Sequence, residues 1–258
     1  MTALLSGRPS RRRSSKRLCE KMNTDVLVKE NTKANVKTEN DTKILDRTFK
    51  TVGNEYGYND VSAEFVAFRE LKIKWTRSMG KAEFKVSDYF KGSNENILES
   101  VVRTLFSRIT GEQNASEWSI PDDFVEKNQS TYIRRSKNLT RSPKGEFRNL
   151  EDSCERLEKM GLITHDKELH ISWTREPNIR RVGYCSVLMK VIAISSVFDN
   201  ELIPEFVLDY VVYHEYVHLM TGYKPFGKKH GTEFKNEERK YPQQKEADAW
   251  LKRLCLYT

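Results

Sequence analysis

The sequence has little of what small extracellular folds and membrane proteins are built on. Its four cysteines, Cys19, Cys154, Cys185 and Cys255, lie far apart and form no CxxC pair, which argues against both a disulfide framework and a cysteine-held zinc site. No apolar run reaches the roughly 18 residues that a membrane-spanning helix needs. The basic N-terminus is not followed by the apolar core of a signal peptide, so the sequence predicts a cytosolic protein with no membrane partner. Hydrophobic residues make up only 37% of the 258 positions and charged ones 32%, so part of the chain must stay in water. Histidine is scarce as well, with five in all, yet three of them fall between 214 and 230.

Charge is what the chain has in excess. A net charge of +8 and a pI near 9.2 fit a polyanionic partner such as DNA, and equally a well-solvated surface. Residues 1–45 hold almost no aromatic residue and no apolar periodicity, which predicts a disordered arm. Its cluster Arg8, Arg11, Arg12, Arg13, Lys16 and Arg17 could hold phosphates or be no more than a solvated tail. Between Pro121 and Arg148, Phe124, Tyr132 and Phe147 interleave with Lys127, Arg134, Arg135, Lys137, Arg141, Lys144 and Arg148. Such a stretch can stack bases and hold phosphates. The plainer reading, a helix with a buried aromatic stripe followed by a basic loop, weighs more.

The chemistry concentrates in His214-Glu215-Tyr216-Val217-His218. On a helix, residues four apart lie on one face, so both imidazoles can reach one ion, a spacing that suits zinc. Glu215 is placed to take a proton from water and return it to a leaving group, as peptide hydrolysis requires. Pro204 fits the first helical position and Gly222 the terminator, while Val207, Tyr210, Val211, His214, Val217 and His218 recur at spacings of three and four. His230 follows a loop containing Pro225 and Gly227. Three histidine ligands leave the fourth position of a zinc ion open, as in catalytic sites. The alternative is an amphipathic helix whose histidines only satisfy buried hydrogen bonds.

The order HExxH, a short loop, then His230-Gly231-Thr232-Glu233-Phe234 resembles the SprT-like metalloproteases, which include Spartan-type enzymes that degrade proteins crosslinked to DNA. The tail from Glu237 to Tyr241 and Pro242, on through Ala247, Trp250 and Leu251, is also similar to the minigluzincins. The resemblance covers about residues 168–254. It implies a zinc peptidase with His214 and His218 as ligands, Glu215 as general base and a protein or peptide as substrate, including DNA-associated proteins. The third ligand is His230 in the SprT-like pattern, which is favoured, and a glutamate, Glu238 or Glu237, in the gluzincin pattern. An oxyanion-stabilising tyrosine is sought among Tyr184, Tyr223 and Tyr241.

Around this motif the sequence predicts an α+β protein with a zincin-like C-terminal domain over 165–256, a hairpin and helix region over 60–160, and the arm over 1–45. Order begins near Asp60. Leu71, Ile73 and Trp75 alternate with polar residues, as do Ala82, Phe84 and Val86, which predicts a hairpin turning at Ser78-Met79-Gly80 with one buried face. A helix spans Glu95 to Thr110, capped by Ser93 or Asn94 and stopped by Gly111; another, Glu151 to Met160, turns Cys154, Leu157 and Met160 inward. Strands follow at Leu169–Trp173, Arg181–Val187 and Val191–Ser195, forming a sheet on the metal helix, with Val191–Ser195 as the edge strand that pairs with substrate. His165 and His170 are expected at the surface, and Pro242 to Leu254 forms the last helix. The competing class is a nucleic-acid-binding protein with a structural zinc, which would not need Glu215.

Overall fold

The computed structural model describes residues 39–111, 121–223 and 228–254; the basic cluster at 8–17 lies outside them. The fold is α+β, with two three-stranded mixed sheets. Among the described residues no helix is long and apolar enough to cross a membrane.

By its contacts the chain divides into two units, the first made of residues up to Val66 together with Ile73–Glu99. Its described part opens with helix α1 over 39–55, so a helix precedes Asp60, where the sequence placed the first ordered residues. Leu45, Phe49 and Val52, spaced by four and three, are buried, and the Phe49 ring lies 4.6 Å from that of Phe84. Strands β1 (Asp60–Val66), β2 (Ile73–Ser78) and β3 (Lys81–Ser87) follow in the order β1-β3-β2. The hairpin of β2 and β3 is antiparallel as expected, turning at Gly80 with φ +70, and β1 adds to β3 in parallel. Ala82, Phe84 and Val86 are buried, but Trp75, on the edge strand β2, is 41% exposed, with the Arg77 guanidinium 5.6 Å over its indole. Helix α2 (Glu95–Thr110) has the expected bounds, with Asn94 accepting the Asn96 N–H and Gly111 left-handed at φ +81.

The second unit, Ala67–Lys72 and Ser100 onward, contains α3 (Phe124–Arg135), α4 (Leu150–Lys159), the sheet β4 (His170–Trp173), β5 (Gly183–Ser186) and β6 (Val191–Ile194), and the helices α5 (Glu205–Met220), α6 (Thr232–Glu238) and α7 (Gln244–Leu251). The strand order is β4-β6-β5, so the expectation that Val191–Ser195 forms an edge is overturned: β6 is central, parallel to β4 and antiparallel to β5. All four of its residues are buried, which is why they read as an unbroken apolar run. Ile171, Trp173, Ile192 and Ile194 face α5, whereas the opposite face carries the buried Ser172 and Ala193 beside a partly covered His170. His170 is therefore half-buried, with Nε2 fully enclosed, rather than a surface residue; His165 is exposed, 3.4 Å from Glu158. Met160 is exposed too, since α4 ends before it and Gly161 turns the chain away at φ +71.

Helix α5 is buried on all sides, not along a single stripe. Pro204 is its N-cap, one position earlier than expected, and Gly222 terminates it at φ +71, its N–H donating to Leu219 O at 3.1 Å. Burial this complete forces Asp209 to be paired: its side chain is 3% exposed and takes Arg156 Nε and Nη2 at 2.8 and 2.7 Å. Nearby, the Asp199 carboxylate accepts the backbone N–H groups of Glu146, Phe147 and Arg148, and Arg148 reaches Glu205 and Ile203 O at the start of α5. A Cβ on Gly145 would stand 2.3 Å from that carboxylate, so this turn requires glycine.

Arg156→Met is expected to lower stability by about 3 kcal/mol, the lower end for breaking a buried pair, because Arg156 keeps some contact with water. Adding Asp209→Leu should recover most of the loss. Urea unfolding of the three proteins measures this, and a single variant as stable as the parent would show that water reaches Asp209.

Candidate metal centre

Two helices bring the site together. His214 and His218 lie one turn apart on α5 with ring centroids 5.4 Å apart, and His230, just before α6, closes over them at 5.1 and 4.9 Å. One ligand-capable nitrogen from each of the three lies within 4.8 Å of the others, and His218 Nε2 and His230 Nε2 are 3.1 Å apart. The convergence has a floor: Phe234 on α6, 1% exposed, sets its ring 5.0, 4.5 and 4.5 Å from His214, His218 and His230. That gives the phenylalanine of the His-Gly-x-x-Phe stretch a packing role.

The candidate glutamates separate. Glu237 is drawn outward by Lys240 at 2.7 Å, while its backbone carbonyl takes the Tyr213 hydroxyl at 2.8 Å. Glu238 turns inward and places Oε1 2.6 Å from His214 Nδ1. The Tyr210 hydroxyl lies between two carboxylates, 3.0 Å from Glu238 Oε1 and 3.1 Å from Asp248 Oδ1 on α7. Tyr210 precedes His214 by one helical turn, so both meet Glu238 on the same side of α5.

Glu215 is 5% exposed. Burial pushes its carboxyl up to about 7, although His214, Arg181 and Lys229 pull the other way. A carboxyl near neutrality both accepts and returns a proton at physiological pH. It has room only because β5 begins with glycine: a Cβ on Gly183 would stand 2.6 Å from Glu215 Oε1 and 2.9 Å from its Cγ. The imidazoles divide. Burial and the neighbouring His214 and His230 push His218 down to about 4, and burial followed by His214 lowers His230. Burial also acts to lower His214, but the hydrogen bond to Glu238 and the nearby carboxylates outweigh it and raise the group. His218 and His230 thus keep lone pairs at neutral pH, and the arrangement can hold a metal ion.

The remaining candidates divide. Tyr241 is buried and donates to Phe206 O at 2.8 Å, and Tyr184 lies beneath the Arg181 guanidinium on the face of β5 opposite Gly183. Tyr223, just past Gly222, is 44% exposed. Burial raises both described thiols, Cys154 to about 12, so neither is a thiolate. In the aromatic and basic stretch, Phe124 and Tyr132 are buried with α3 and are not available to stack bases. Sequence reasoning missed Gly183 and Asp248, had Phe234 only as a motif position, Tyr210 only as part of the helical stripe and Glu238 only as an alternative ligand. A lone glycine in a strand-like run and a tyrosine four residues before His214 were the available signals. No family model, curated protein or solved structure matches the chain.

Gly183→Ala forces Glu215 out of its rotamer and is expected to cost about 1–3 kcal/mol, as overpacking does. Urea unfolding of the metal-free protein measures it; unchanged stability would mean that the Glu215 carboxylate moves aside freely.

Proposed function

We propose that the chain is a zinc-dependent peptidase with a zincin-like fold, akin to the SprT-like metalloproteases that its motif resembles. The observation that carries this reading is the convergence of three imidazoles within 4.8 Å, one residue along the helix from a buried carboxyl near neutrality. An all-nitrogen donor set suits zinc, and the 3.1 Å between His218 and His230 is close to the roughly 3.3 Å that separates two ligands of a tetrahedral ion at zinc–nitrogen distances. Bound by His214, His218 and His230, zinc supplies Lewis acidity that polarises a peptide carbonyl and acidifies water.

The protein's own residues carry the proton. Glu215 accepts it from the attacking water as oxygen bonds to the carbonyl carbon, then returns it to the amine nitrogen as the C–N bond breaks. The strand for an extended substrate is β5 in place of β6. It pairs with β6 on one side, forms an edge of its sheet and runs past Glu215 at Gly183. Nucleic acid has weaker support, namely the net charge, with Phe124 and Tyr132 buried.

The purified protein should contain about one zinc per chain, and His214→Ala, His218→Ala or His230→Ala should lose it. Elemental analysis after dialysis decides the point. Glu215→Gln should keep zinc and fold while cleavage of an unfolded protein such as casein falls by at least about 10²-fold. Parental turnover in that variant would rule out Glu215 as the base. A zinc-loaded parent inactive on every unfolded or DNA-bound protein would favour a structural ion.

A further inference from the structure

We infer that Glu238 is a positioning residue for His214, not a ligand, and that Tyr210 and Asp248 hold it in that role. The inference rests on the reading of the three histidines as a metal site and assigns what surrounds them. Glu238 Oε1 lies 2.6 Å from His214 Nδ1 and 3.0 Å from the Tyr210 hydroxyl, whose single proton is shared with Asp248 Oδ1 at 3.1 Å. A carboxylate oxygen has two lone pairs, and here one faces His214 Nδ1 and the other the shared Tyr210 proton. With Nδ1 bound to Glu238, His214 has Nε2 left for an ion. A carboxylate on the far nitrogen of a ligating histidine fixes the tautomer and the ring plane.

What sets this apart from a surface contact is how Glu238 is itself held. It is the last residue of α6, where a side chain would otherwise be free to swing. Tyr210, 3% exposed, sits one turn before His214 on α5 and touches Asp248 on α7 at 3.1 Å. The rings of Tyr210 and Tyr241, with centroids 5.5 Å apart, brace the hydroxyl from the segment between α6 and α7. Three helices therefore converge on one hydrogen bond. Among the described residues its partner is the one cluster histidine whose Nδ1 meets a carboxylate; His218 and His230 face each other through Nε2.

The test is metal affinity read beside a spectrum, using the full chain. Glu238→Ala and Glu238→Gln should still bind one zinc at saturation, but with affinity about 10- to 100-fold weaker for alanine and less weakened for glutamine, whose amide oxygen still accepts from Nδ1–H. Tyr210→Phe should weaken binding in the same direction by a smaller factor. With cobalt in place of zinc, the visible bands of all three variants should keep the parent's position and intensity, because no ligand has been lost. Urea unfolding of the metal-free proteins separates positioning from stability: affinity should fall in Glu238→Gln even where the unfolding midpoint does not move. Parental affinity in Glu238→Ala would overturn the inference. So would a cobalt spectrum altered as by the loss of a donor, which would make Glu238 a ligand. If the parent binds neither zinc nor cobalt at stoichiometric levels, it is the reading of the histidines that fails.

Discussion

A helix enclosed on every side that must nevertheless carry ionisable groups is the constraint from which the C-terminal unit follows. Of the residues of α5, Val207 to Tyr213 and Glu215 to Val217 are all buried, Asp209 and Glu215 among them. Leaving a charge unpaired in such a place costs several kcal/mol, so each group determines what must lie opposite it. Asp209 requires Arg156 and therefore α4 alongside; His214 draws Glu238 and with it α6. Among the described residues no cation makes a hydrogen bond to Glu215, which is accommodated by its shifted carboxyl and by the bare backbone at Gly183. That buried carboxyl is the one proposed to do chemistry.

Packing and electrostatics at the cluster reinforce one another. Phe234 holds the three imidazoles at van der Waals distance, and crowding then makes protons on His218 and His230 unfavourable. An apolar ring thus helps keep nitrogen lone pairs available. Substituting it would disturb both the geometry and the basicity of the centre, though it offers no donor itself.

How much of this was readable depended on whether a feature is local. The bounds of α2, the stop at Gly222 and the facing of His214 and His218 follow from spacings of a few residues and stood in the sequence. The centrality of β6 did not come from alternation, because a strand buried on both faces has none; the unbroken Val191-Ile192-Ala193-Ile194 run was itself the sign of a central strand. Helix α1 was passed over because Leu45, Phe49 and Val52 are scattered among mostly charged and polar neighbours, although their spacing was helical. Glu238 beside His214 could not be read at all with assurance, since a 24-residue separation bridged by a loop leaves the choice between ligand and partner to tertiary packing.

The two sheets share a pattern whose consequence is kinetic. In each, the second and third strands form an antiparallel hairpin, and the first strand lies parallel to the third, in the orders β1-β3-β2 and β4-β6-β5. A hairpin closes a short loop and forms on the microsecond scale, whereas the parallel partner must wait for a longer segment to be drawn together. During folding, each central strand therefore spends a period with one side already paired and the other open. For β6, whose four residues are all apolar, that open side is a transient template for another molecule's strand until β4 arrives. Self-association during refolding should then follow the delay in docking β4 more than the final stability of the sheet.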